Sequence, residues 1–398
     1  MELLAPAGNF DKLKSAVLFG ADAVFMGGPA FGLRANAGNF TYDELEEALK
    51  YLHERGKKGY VTVNVYPTTS ELSSIEKHLK TCEAVGADAL IISDPGIFSM
   101  VQKLGIKTPV SISTQANTTN LAAVNFWADL GAKRVIMARE VKKHDLKEII
   151  TGARCEVETF IHGAICISMS GRCLISSYMT GRDANNGECT HPCRWNYSLM
   201  EETRQGEYFP VYEDERGTYL YNSKDLCLLD KIGELISMGL ASGKIEGRMK
   251  SVMYVSIVTG VYRKAIDLAK KDPLNYKPDP SWRTLLESVS NRGYIEGFYS
   301  SLEDNEAVNR QDSGYSRAAS FLGVVNTCKN NEIELSCRAK FIPNEEITIL
   351  TPNLEKINIT PEKIYDEGSN EVESTRPNYK YKLLLNKEVE AGSLIMRF

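Results

Sequence analysis

Four cysteines in one short stretch are the residues of this sequence whose types and spacing best suit a chemical role. Cys166, Cys173, Cys189 and Cys193 fall within 28 residues and are spaced C-x6-C-x15-C-x3-C. A thiolate site needs several sulfur atoms that converge on one point, and the glycines of this stretch let the chain fold back to deliver them. Zinc sites favour two close pairs of cysteines, and only Cys189 and Cys193 form such a pair here. The spacing therefore favours an iron–sulfur cluster, with zinc as the alternative.

A fifth cysteine and two simpler explanations stay open. Cys227, in the sequence NSKDLC, is a candidate to replace Cys193 as the fourth ligand. Free cysteines often behave as small buried hydrophobic residues, which suits Cys82 and Cys155 in their helix and strand patterns. Disulfides are the other alternative, but nine cysteines are an odd count and we expect no secretory signal peptide ahead of Met1.

Composition limits the class of protein. A chain of 398 residues with 43% hydrophobic content can bury a large core and predicts two domains. Its net charge of −5 argues against broad electrostatic attraction to nucleic acid or membrane, so any RNA contact must be local. No stretch approaches the roughly 18 to 20 apolar residues of a transmembrane helix. We therefore expect a soluble, cytoplasmic protein with no membrane partner.

Short apolar runs alternate with amphipathic helical patterns through the first 270 residues, and this alternation must position the cysteines. Strands that are apolar on both faces and alternate with helices predict a parallel sheet. Eight such units in this length predict a closed (β/α)8 TIM-like barrel, and a doubly wound sheet is the alternative, although no G-x-G-x-x-G follows any strand. The eight predicted strands are ELLA from Glu2, DAVFMG from Asp22, YVTVN from Tyr60, DALIIS from Asp88, PVSIST from Pro109, KRVIMA from Lys133, EVETFIH from Glu156 and SGKIEG from Ser242.

The predicted domain organisation follows from where this alternation stops. Residues 1–272 form the predicted barrel, with the cysteine-rich loop at 163–195 and a hairpin insert at 196–223. A helix is expected from about Lys224 to Met238. Residues 273–315 predict a linker and a helix, because the chain becomes Pro- and Asp-rich there. Short alternating runs over 316–398 predict a small C-terminal antiparallel β-barrel.

Polar residues follow most of the predicted strands, where a barrel of this kind builds its active site. The arginines Arg34, Arg139 and Arg248 would supply charge for a carboxylate or phosphate. Asp94, followed by Pro and Gly, would by itself be only a helix cap. His162 suits a core histidine as well as a catalytic one. The candidates are His162 and Glu140 for catalysis, and Arg34, Asn64, Gln115, Arg139, Glu246 and Arg248 for substrate binding.

The chain resembles the collagenase-like peptidases grouped as unclassified-type peptidase family thirty-two, and the similarity spans nearly all of it. So many ordered matches make the resemblance specific. The segments that carry it are ELLAPAGN at the start, GLRANAGNF (32–40), SDPG (93–96), STQAN (113–117), ARE (138–140), FIHGAICISMSGRCLIS (160–176), GRDANNGECTHPCRW (181–195), NSKDLC (222–227) and KIEGRMKS (244–251).

The resemblance implies an activity, cofactors and partners. The chain looks closest to the branch that forms 5-hydroxyuridine at the wobble position of tRNA, with an iron–sulfur cluster (a [4Fe–4S] cluster) and with prephenate as co-substrate. A sister branch hydroxylates a cytidine of ribosomal RNA, and another works as heterodimers in ubiquinone synthesis. The implied partners are tRNA, a small dicarboxylate, and an iron–sulfur partner protein or a family paralogue. The implied cluster ligands are Cys166, Cys173, Cys189 and Cys193, and in the quinone branch a residue resembling Cys227 enters the set.

Two activities compete within this resemblance. Oxygen insertion at a pyrimidine carbon needs a cofactor, which a cysteine cluster at the barrel mouth would supply, and the arginines would clamp a dicarboxylate. Collagenolytic peptidase activity is attributed to some members. It fits the residues less well, because the sequence has no H-E-x-x-H helix and no G-x-S-x-G elbow. A Cys–His pair, Cys166 with His162 or His191, is the remaining peptidase candidate. A scaffold subunit that carries a cluster without turnover is the third interpretation.

Overall fold

The computed structural model describes most of the barrel and the C-terminal region. The described residues are 1–32, 39–165, 168–171, 175–182, 190, 199–200, 208–209, 212–214, 217–219, 224–300 and 318–398.

The described part of the first 300 residues alternates strands with helices. Its strands are β1 (Glu2–Pro6), β2 (Ala23–Gly27), β3 (Lys58–Val63), β4 (Ala89–Ile92), β5 (Val110–Ile112), β6 (Arg134–Ile136), β7 (Glu156–Ala164), β8 (Leu199–Met200), β9 (Tyr208–Phe209), β10 (Tyr212–Asp214), β11 (Gly217–Tyr219), β12 (Asp225–Cys227), β13 (Ser242–Ile245) and β14 (Tyr294–Ile295). Its helices are α1 (Phe10–Leu18), α2 (Tyr42–His53), α3 (Leu72–Ala84), α4 (Pro95–Lys103), α5 (Leu121–Asp129), α6 (Lys143–Gly152), α7 (Ile175–Thr180), α8 (Ile232–Ser237), α9 (Val252–Lys271) and α10 (Pro280–Ser288).

Eight parallel strands close into the predicted barrel. Strands β1 to β7 each pair in parallel with the next, and β13 pairs in parallel with both β7 and β1. The strands are buried on both faces, as β2 shows with all five of its residues buried, because helices cover the outside of the sheet. The predicted (β/α)8 fold is confirmed, and all eight predicted strands are present.

Local signals in the sequence set several helix ends. Thr41 and Glu44 form a capping box at the start of α2, and Asp94 accepts a hydrogen bond from the backbone N–H of Ile97 at the start of α4. Asn9 caps α1 in the same way. The longest helix, α9, packs against α1, α8 and β1 on the outside of the barrel. Among the described helices, none combines the length and apolar character that spanning a membrane requires.

The helix expected from Lys224 is wrong at its start, because residues 225–227 form β12. This strand runs antiparallel to β7, with Cys227 opposite His162 and Asp225 opposite Ala164. Residues 225–229 are all buried, which leaves no polar face for a surface helix. Asp225 is held by a buried ion pair with Arg292, whose Nη2 lies 2.7 Å from its Oδ1. A short 3-10 helix at Leu229–Lys231 follows the strand, and the α-helix α8 begins only at Ile232.

Antiparallel strands form the C-terminal region, as predicted. They are β15 (Ser320–Lys329), β16 (Glu332–Cys337), β17 (Ile347–Leu350), β18 (Lys356–Ile359), β19 (Lys380–Leu384) and β20 (Leu394–Arg397). Their order in the sheet is β18-β17-β20-β15-β16-β19, around a separate apolar core. The sheet also packs on the barrel. A Cβ at Gly260 of α9 would lie 2.9 Å from Leu354, so glycine permits the close approach of the two parts.

Charged side chains fill the amino-terminal end of the barrel, which we call the barrel floor (Glu2, Arg134, Glu156, Glu158 and Lys244). The guanidinium of Arg134 lies 2.7 Å from Glu2, 2.7 Å from Glu156 and 2.9 Å from Glu158. Lys244 Nζ lies 3.3 Å from the same Glu158. Burial lowers the pKa of Lys244, and the Glu158 carboxylate opposes that shift. Because each charge has an opposite partner, these groups can be buried inside the barrel.

Candidate functional site

An amide pair occupies one side of the barrel mouth, the end formed by the carboxyl ends of the strands. Asn64 follows β3 and Gln115 follows β5, and the side-chain amide of Asn64 donates to Gln115 Oε1 at 3.0 Å. The Tyr66 hydroxyl donates to the backbone carbonyl of Gln115, and the Ser93 hydroxyl donates to the carbonyl of Asn64 at 3.2 Å. Two of the predicted substrate-binding residues are thus held together and fixed by neighbouring loops.

A second pair joins Arg139 and Glu246, which follow β6 and β13. Arg139 Nη2 lies 3.5 Å from Glu246 Oε2. The guanidinium carbon of Arg139 lies 3.7 Å from the ring centroid of Phe160, whose side chain contributes a face for cation–π contact. Only 9% of the Arg139 side chain is exposed. The arginine is therefore oriented before any substrate arrives, with its charge partly offset by Glu246.

Arg248 is anchored more deeply than Arg139. It is 3% exposed, and its Nη1 donates to Thr62 Oγ1 at 3.1 Å while its Nη2 donates to Asn39 Oδ1 at 2.5 Å. A Cβ at Gly27, the last residue of β2, would lie 2.4 Å from Arg248 Nη2, so a larger residue there would displace the guanidinium from its present position. Lys12 Nζ donates to the Arg248 carbonyl at 3.0 Å. Burial lowers the pKa of Lys12, and the charge of Arg248 adds to that effect.

His162, a predicted catalytic residue, points into an aromatic cluster instead of lying among these groups. In the pairing of β7 with β13, Phe160 lies opposite Lys244 and His162 opposite Ile245, so Ile161 is an extra residue. A β-bulge of this kind re-aims the side chains that follow it. The His162 ring contacts Tyr254 and Tyr262 of α9 and Tyr294 of β14, with centroids 5.2–5.9 Å apart.

The surroundings of His162 keep its imidazole neutral. The side chain is 1% exposed, and burial lowers its pKa to about 3. His162 Nδ1 lies 3.3 Å from the Tyr262 hydroxyl, which donates to the Ile161 carbonyl at 2.8 Å. Cys227 is part of the same buried cluster, since its Sγ lies 3.6 Å from that hydroxyl, and burial raises the pKa of its thiol.

Glu140, the other predicted catalytic residue, contacts the cysteine-rich segment. Its Oε1 accepts a hydrogen bond from the backbone N–H of Ser170 at 2.8 Å. Ser170 lies between Cys166 and Cys173 in the sequence, and its hydroxyl donates to Asn117 Oδ1 at 2.6 Å. Loops that follow β5 and β6 therefore both reach the segment that carries the cysteines.

Hydroxyl groups also connect two parts of the cysteine-rich segment to each other. Ser176, on α7, accepts from the backbone N–H of Thr190 at 3.1 Å, and the two hydroxyl oxygens lie 3.0 Å apart. Thr190 directly follows Cys189 in the sequence, and Ser176 comes three residues after Cys173. The segments that carry these two cysteines therefore meet, which a shared thiolate site requires. Thiolates are soft ligands that bind iron–sulfur clusters and zinc, so the cysteines of this segment suit either metal site.

Several predicted residues fall outside the described part of the chain. These are Arg34, Cys166, Cys173, Cys189 and Cys193. Among the described residues, no group of three or more His, Cys, Asp or Glu side chains converges as a metal site would. Sequence reasoning also missed Asn39, Thr62 and Ser170, whose contacts fix the mouth. Polar residues of this kind are common in loops and strand ends, so no signal in the sequence singled them out.

Comparisons with known proteins assign the chain to a family. Residues 8–309 match the family described as Peptidase family U32, and residues 317–396 match the Peptidase family U32 C-terminal domain. The tRNA hydroxylation protein P1 of Bacillus subtilis (strain 168) is 37% identical over 399 residues, covering 100% of this chain and 94% of that protein. The 23S rRNA 5-hydroxycytidine C2501 synthase of Escherichia coli (strain K12) is 37% identical over 67% of this chain and 39% of its own length. The collagenase of Porphyromonas gingivalis (strain ATCC BAA-308 / W83) is 28% identical over 81% of this chain and 79% of its own length. Together the two family matches cover almost the whole sequence, and this chain is a member of peptidase family U32.

Proposed function

We propose that this protein is a tRNA hydroxylation enzyme that forms 5-hydroxyuridine at the wobble position, using an iron–sulfur cluster and prephenate. The observation that carries this proposal is the contact between the barrel mouth and the cysteine-rich segment, made by Ser170 with Asn117 and Glu140. It supports the proposal because Ser170 belongs to the cysteine-rich segment, while Asn117 and Glu140 adjoin the candidate substrate-binding residues Gln115 and Arg139 in the sequence. The match to a tRNA hydroxylation protein over 94% of that protein's length supports tRNA as the substrate.

The cluster would be held by Cys166, Cys173 and Cys189, with either Cys193 or Cys227 as the fourth ligand. When bound, it would supply the electron transfer that oxygen insertion requires and that side chains cannot perform alone. The protein's own groups would orient the reactants. The contact between Ser176 and Thr190 supports the proposed ligand set, since it joins the segments that carry Cys173 and Cys189.

The two described arginines of the mouth would bind the dicarboxylate. Arg139 and Arg248 are both nearly buried, so their attraction for a carboxylate is screened less than at the surface. Both are held by existing contacts, so little side-chain freedom is lost on binding. Asn64 and Gln115 offer amide groups of the kind that read the edge of a pyrimidine base. A uridine in an anticodon loop is single-stranded and can enter without duplex opening.

The peptidase alternative has the support of the collagenase relative. Against it, the His162 ring is buried among three tyrosines and its pKa is lowered to about 3, which makes it a poor base for a nucleophilic cysteine. The other candidate base, His191, lies outside the described residues. We therefore favour hydroxylation.

Deleting the gene in its host is expected to remove 5-hydroxyuridine-derived nucleosides from bulk tRNA, because the protein is proposed to form 5-hydroxyuridine. Mass spectrometry of digested tRNA and of digested ribosomal RNA from the same cells is the measurement. Purified protein should also bind an anticodon stem-loop. The logarithm of its association constant should fall with the logarithm of the salt concentration with a slope of about −2 to −3.5, for roughly three to five phosphate contacts. Unchanged tRNA with altered ribosomal RNA would move the substrate to ribosomal RNA. Unchanged RNA together with cleavage of denatured collagen would favour the peptidase.

Arg139→Ala is expected to weaken prephenate binding by about 1.5–3 kcal/mol, the value of a hydrogen bond to a charged group. Glu246→Gln is expected to strengthen prephenate binding, because it removes the carboxylate that lies 3.5 Å from Arg139 and competes with the ligand. Isothermal titration of prephenate and related dicarboxylates measures both changes. Lys142→Ala is the control, since Lys142 is an exposed cation three residues away at the start of α6. Equal affinity in Arg139→Ala and the control would show that Arg139 has only a structural role.

A further inference from the structure

Ser170 is almost fully buried, whereas serine residues are mostly exposed. It is 1% exposed, and both of its hydrogen-bonding donors are used. Its backbone N–H donates to Glu140 Oε1 at 2.8 Å and its hydroxyl donates to Asn117 Oδ1 at 2.6 Å. The two acceptors belong to different loops, those that follow β6 and β5. One residue of the cysteine-rich segment is therefore tied to two fixed points on the barrel.

The backbone at this contact adopts a conformation that needs support. Ser170 has φ 53° and Asn117 has φ 58°, both in the left-handed region. Asparagine tolerates this region, whereas serine enters it less readily. Such conformations persist where the surrounding contacts over-determine them. The two hydrogen bonds are those contacts, so the position of Ser170 is specified and not incidental.

The acceptors adjoin the candidate substrate-binding residues. Asn117 comes two residues after Gln115, and Glu140 directly follows Arg139. The other carboxylate oxygen of Glu140, Oε2, is buried with no hydrogen-bond partner among the described residues. Glu140 is half-buried and uses Oε1 to accept a hydrogen bond from a backbone N–H. This contact is a structural role for Glu140, and the catalytic role expected from the sequence stays a prediction.

We infer that Ser170 is a positioning residue, which with Asn117 and Glu140 holds the cysteine-rich segment against the barrel mouth and so sets where the proposed cluster lies. This inference rests on the proposed function. Residues that orient the ligands of a metal centre change how tightly the metal is bound, even though they do not contact the metal themselves. Ser170 separates Cys166 from Cys173, so loosening it frees the chain between two proposed ligands.

Glycine variants test the inference without adding backbone strain, because glycine adopts positive φ freely. Ser170→Gly and Asn117→Gly each remove one partner of the same hydrogen bond. Each is expected to release iron to a ferrous chelator about 10-fold faster than the wild type under anaerobic conditions, as for other outer contacts of metal sites. The double variant is expected to release iron no faster than either single variant, since the bond can be lost only once. Ser168→Gly, in the same segment, is the matched control and should match the wild type.

A second pair of variants examines Glu140 through iron retention and not through catalytic activity. Glu140→Gln keeps an oxygen that can accept from the Ser170 N–H and is expected to release iron at the wild-type rate. Glu140→Ala removes that oxygen and is expected to release iron faster, as Ser170→Gly does. Electron paramagnetic resonance of the reduced protein is a further readout, because a shifted cluster changes its spectrum. If Ser170→Gly fails to fold by circular dichroism, Asn117→Gly tests the same bond from the barrel side.

The outcomes separate this inference from the proposed function. Iron-containing wild-type protein with wild-type release rates in both glycine variants would overturn the role of Ser170 and leave the proposed function standing. Additive effects in the double variant would also overturn it, since they would show two independent perturbations. Wild-type protein prepared without oxygen that holds no iron would overturn both.

Discussion

Replacing Cys166 or Cys173 with alanine is expected to abolish both iron binding and the formation of 5-hydroxyuridine. A cluster that loses one of its thiolates is generally unstable. Anaerobically purified wild-type protein should be brown and contain about four iron and four sulfide ions per chain if a [4Fe–4S] cluster forms. The variants should be colourless, and neither should restore the modified nucleosides to tRNA in a deletion strain.

Cys155→Ala is the matched control for these variants. Cys155 directly precedes β7, whereas Cys166 comes after that strand in the sequence, and Cys155 is half-buried. It should leave iron content and tRNA unchanged. Colourless wild-type protein with one zinc ion per chain would replace the cluster with zinc and retain the site.

The same assay resolves the fourth ligand. Cys193→Ala and Cys227→Ala are compared for iron content, and the true ligand is the one whose loss removes the cluster. Cys227 is buried beside Tyr262, so Cys227→Ala must also be checked for folding.

Arg134→Met is expected to destabilise the barrel by about 3–5 kcal/mol, the cost of removing one partner from a buried ion pair. The change leaves Glu158 buried with only Lys244 at 3.3 Å, and it also removes the contacts to Glu2 and Glu156. Burial alone would lower the pKa of Arg134, but Glu158 and Glu2 raise it above its ordinary value, which is the sign expected for a cation that its neighbours stabilise. Urea unfolding followed by tryptophan fluorescence measures the effect, because all three tryptophans precede residue 300.

Arg154→Met is the control, since it removes an ion pair of similar length at the surface. Arg154 Nη2 lies 2.5 Å from Asp129 Oδ2, and both side chains are more than half exposed. The expected change is below about 1 kcal/mol, as for other exposed pairs. Similar losses in the two variants would mean that burial does not determine the strength of the barrel-floor contacts.

Two loops at the barrel mouth each make both kinds of contact. The loops after β5 and β6 contribute both a candidate substrate-binding residue and an acceptor for Ser170. The candidate substrate-binding residues and the residues that contact Ser170 are therefore neighbours in the chain. A displacement of either loop would move both sets together.

Much of the fold could be predicted from the sequence. Runs such as ALII in β4 are apolar on both faces and alternate with amphipathic helices, and that pattern is physically compatible with few arrangements other than a parallel sheet covered by helices. The positions of Arg139, Glu140 and Glu246 directly after strands also placed them at the barrel mouth, because the carboxyl ends of parallel strands lie at one end.

The tertiary structure alone decided which of these polar residues meet and where each side chain points. The extra residue Ile161 turns His162 into the tyrosine cluster, and a bulge depends on the pairing of β7 with a strand more than 75 residues away. The buried run at 225–227 became a strand because β7 had an edge to pair with, which its own sequence does not reveal. The roles of Ser170 and Arg134 depend likewise on partners distant in the chain. Periodicity is a local property and was determined by the sequence, whereas side-chain pairing across the barrel depends on three-dimensional packing.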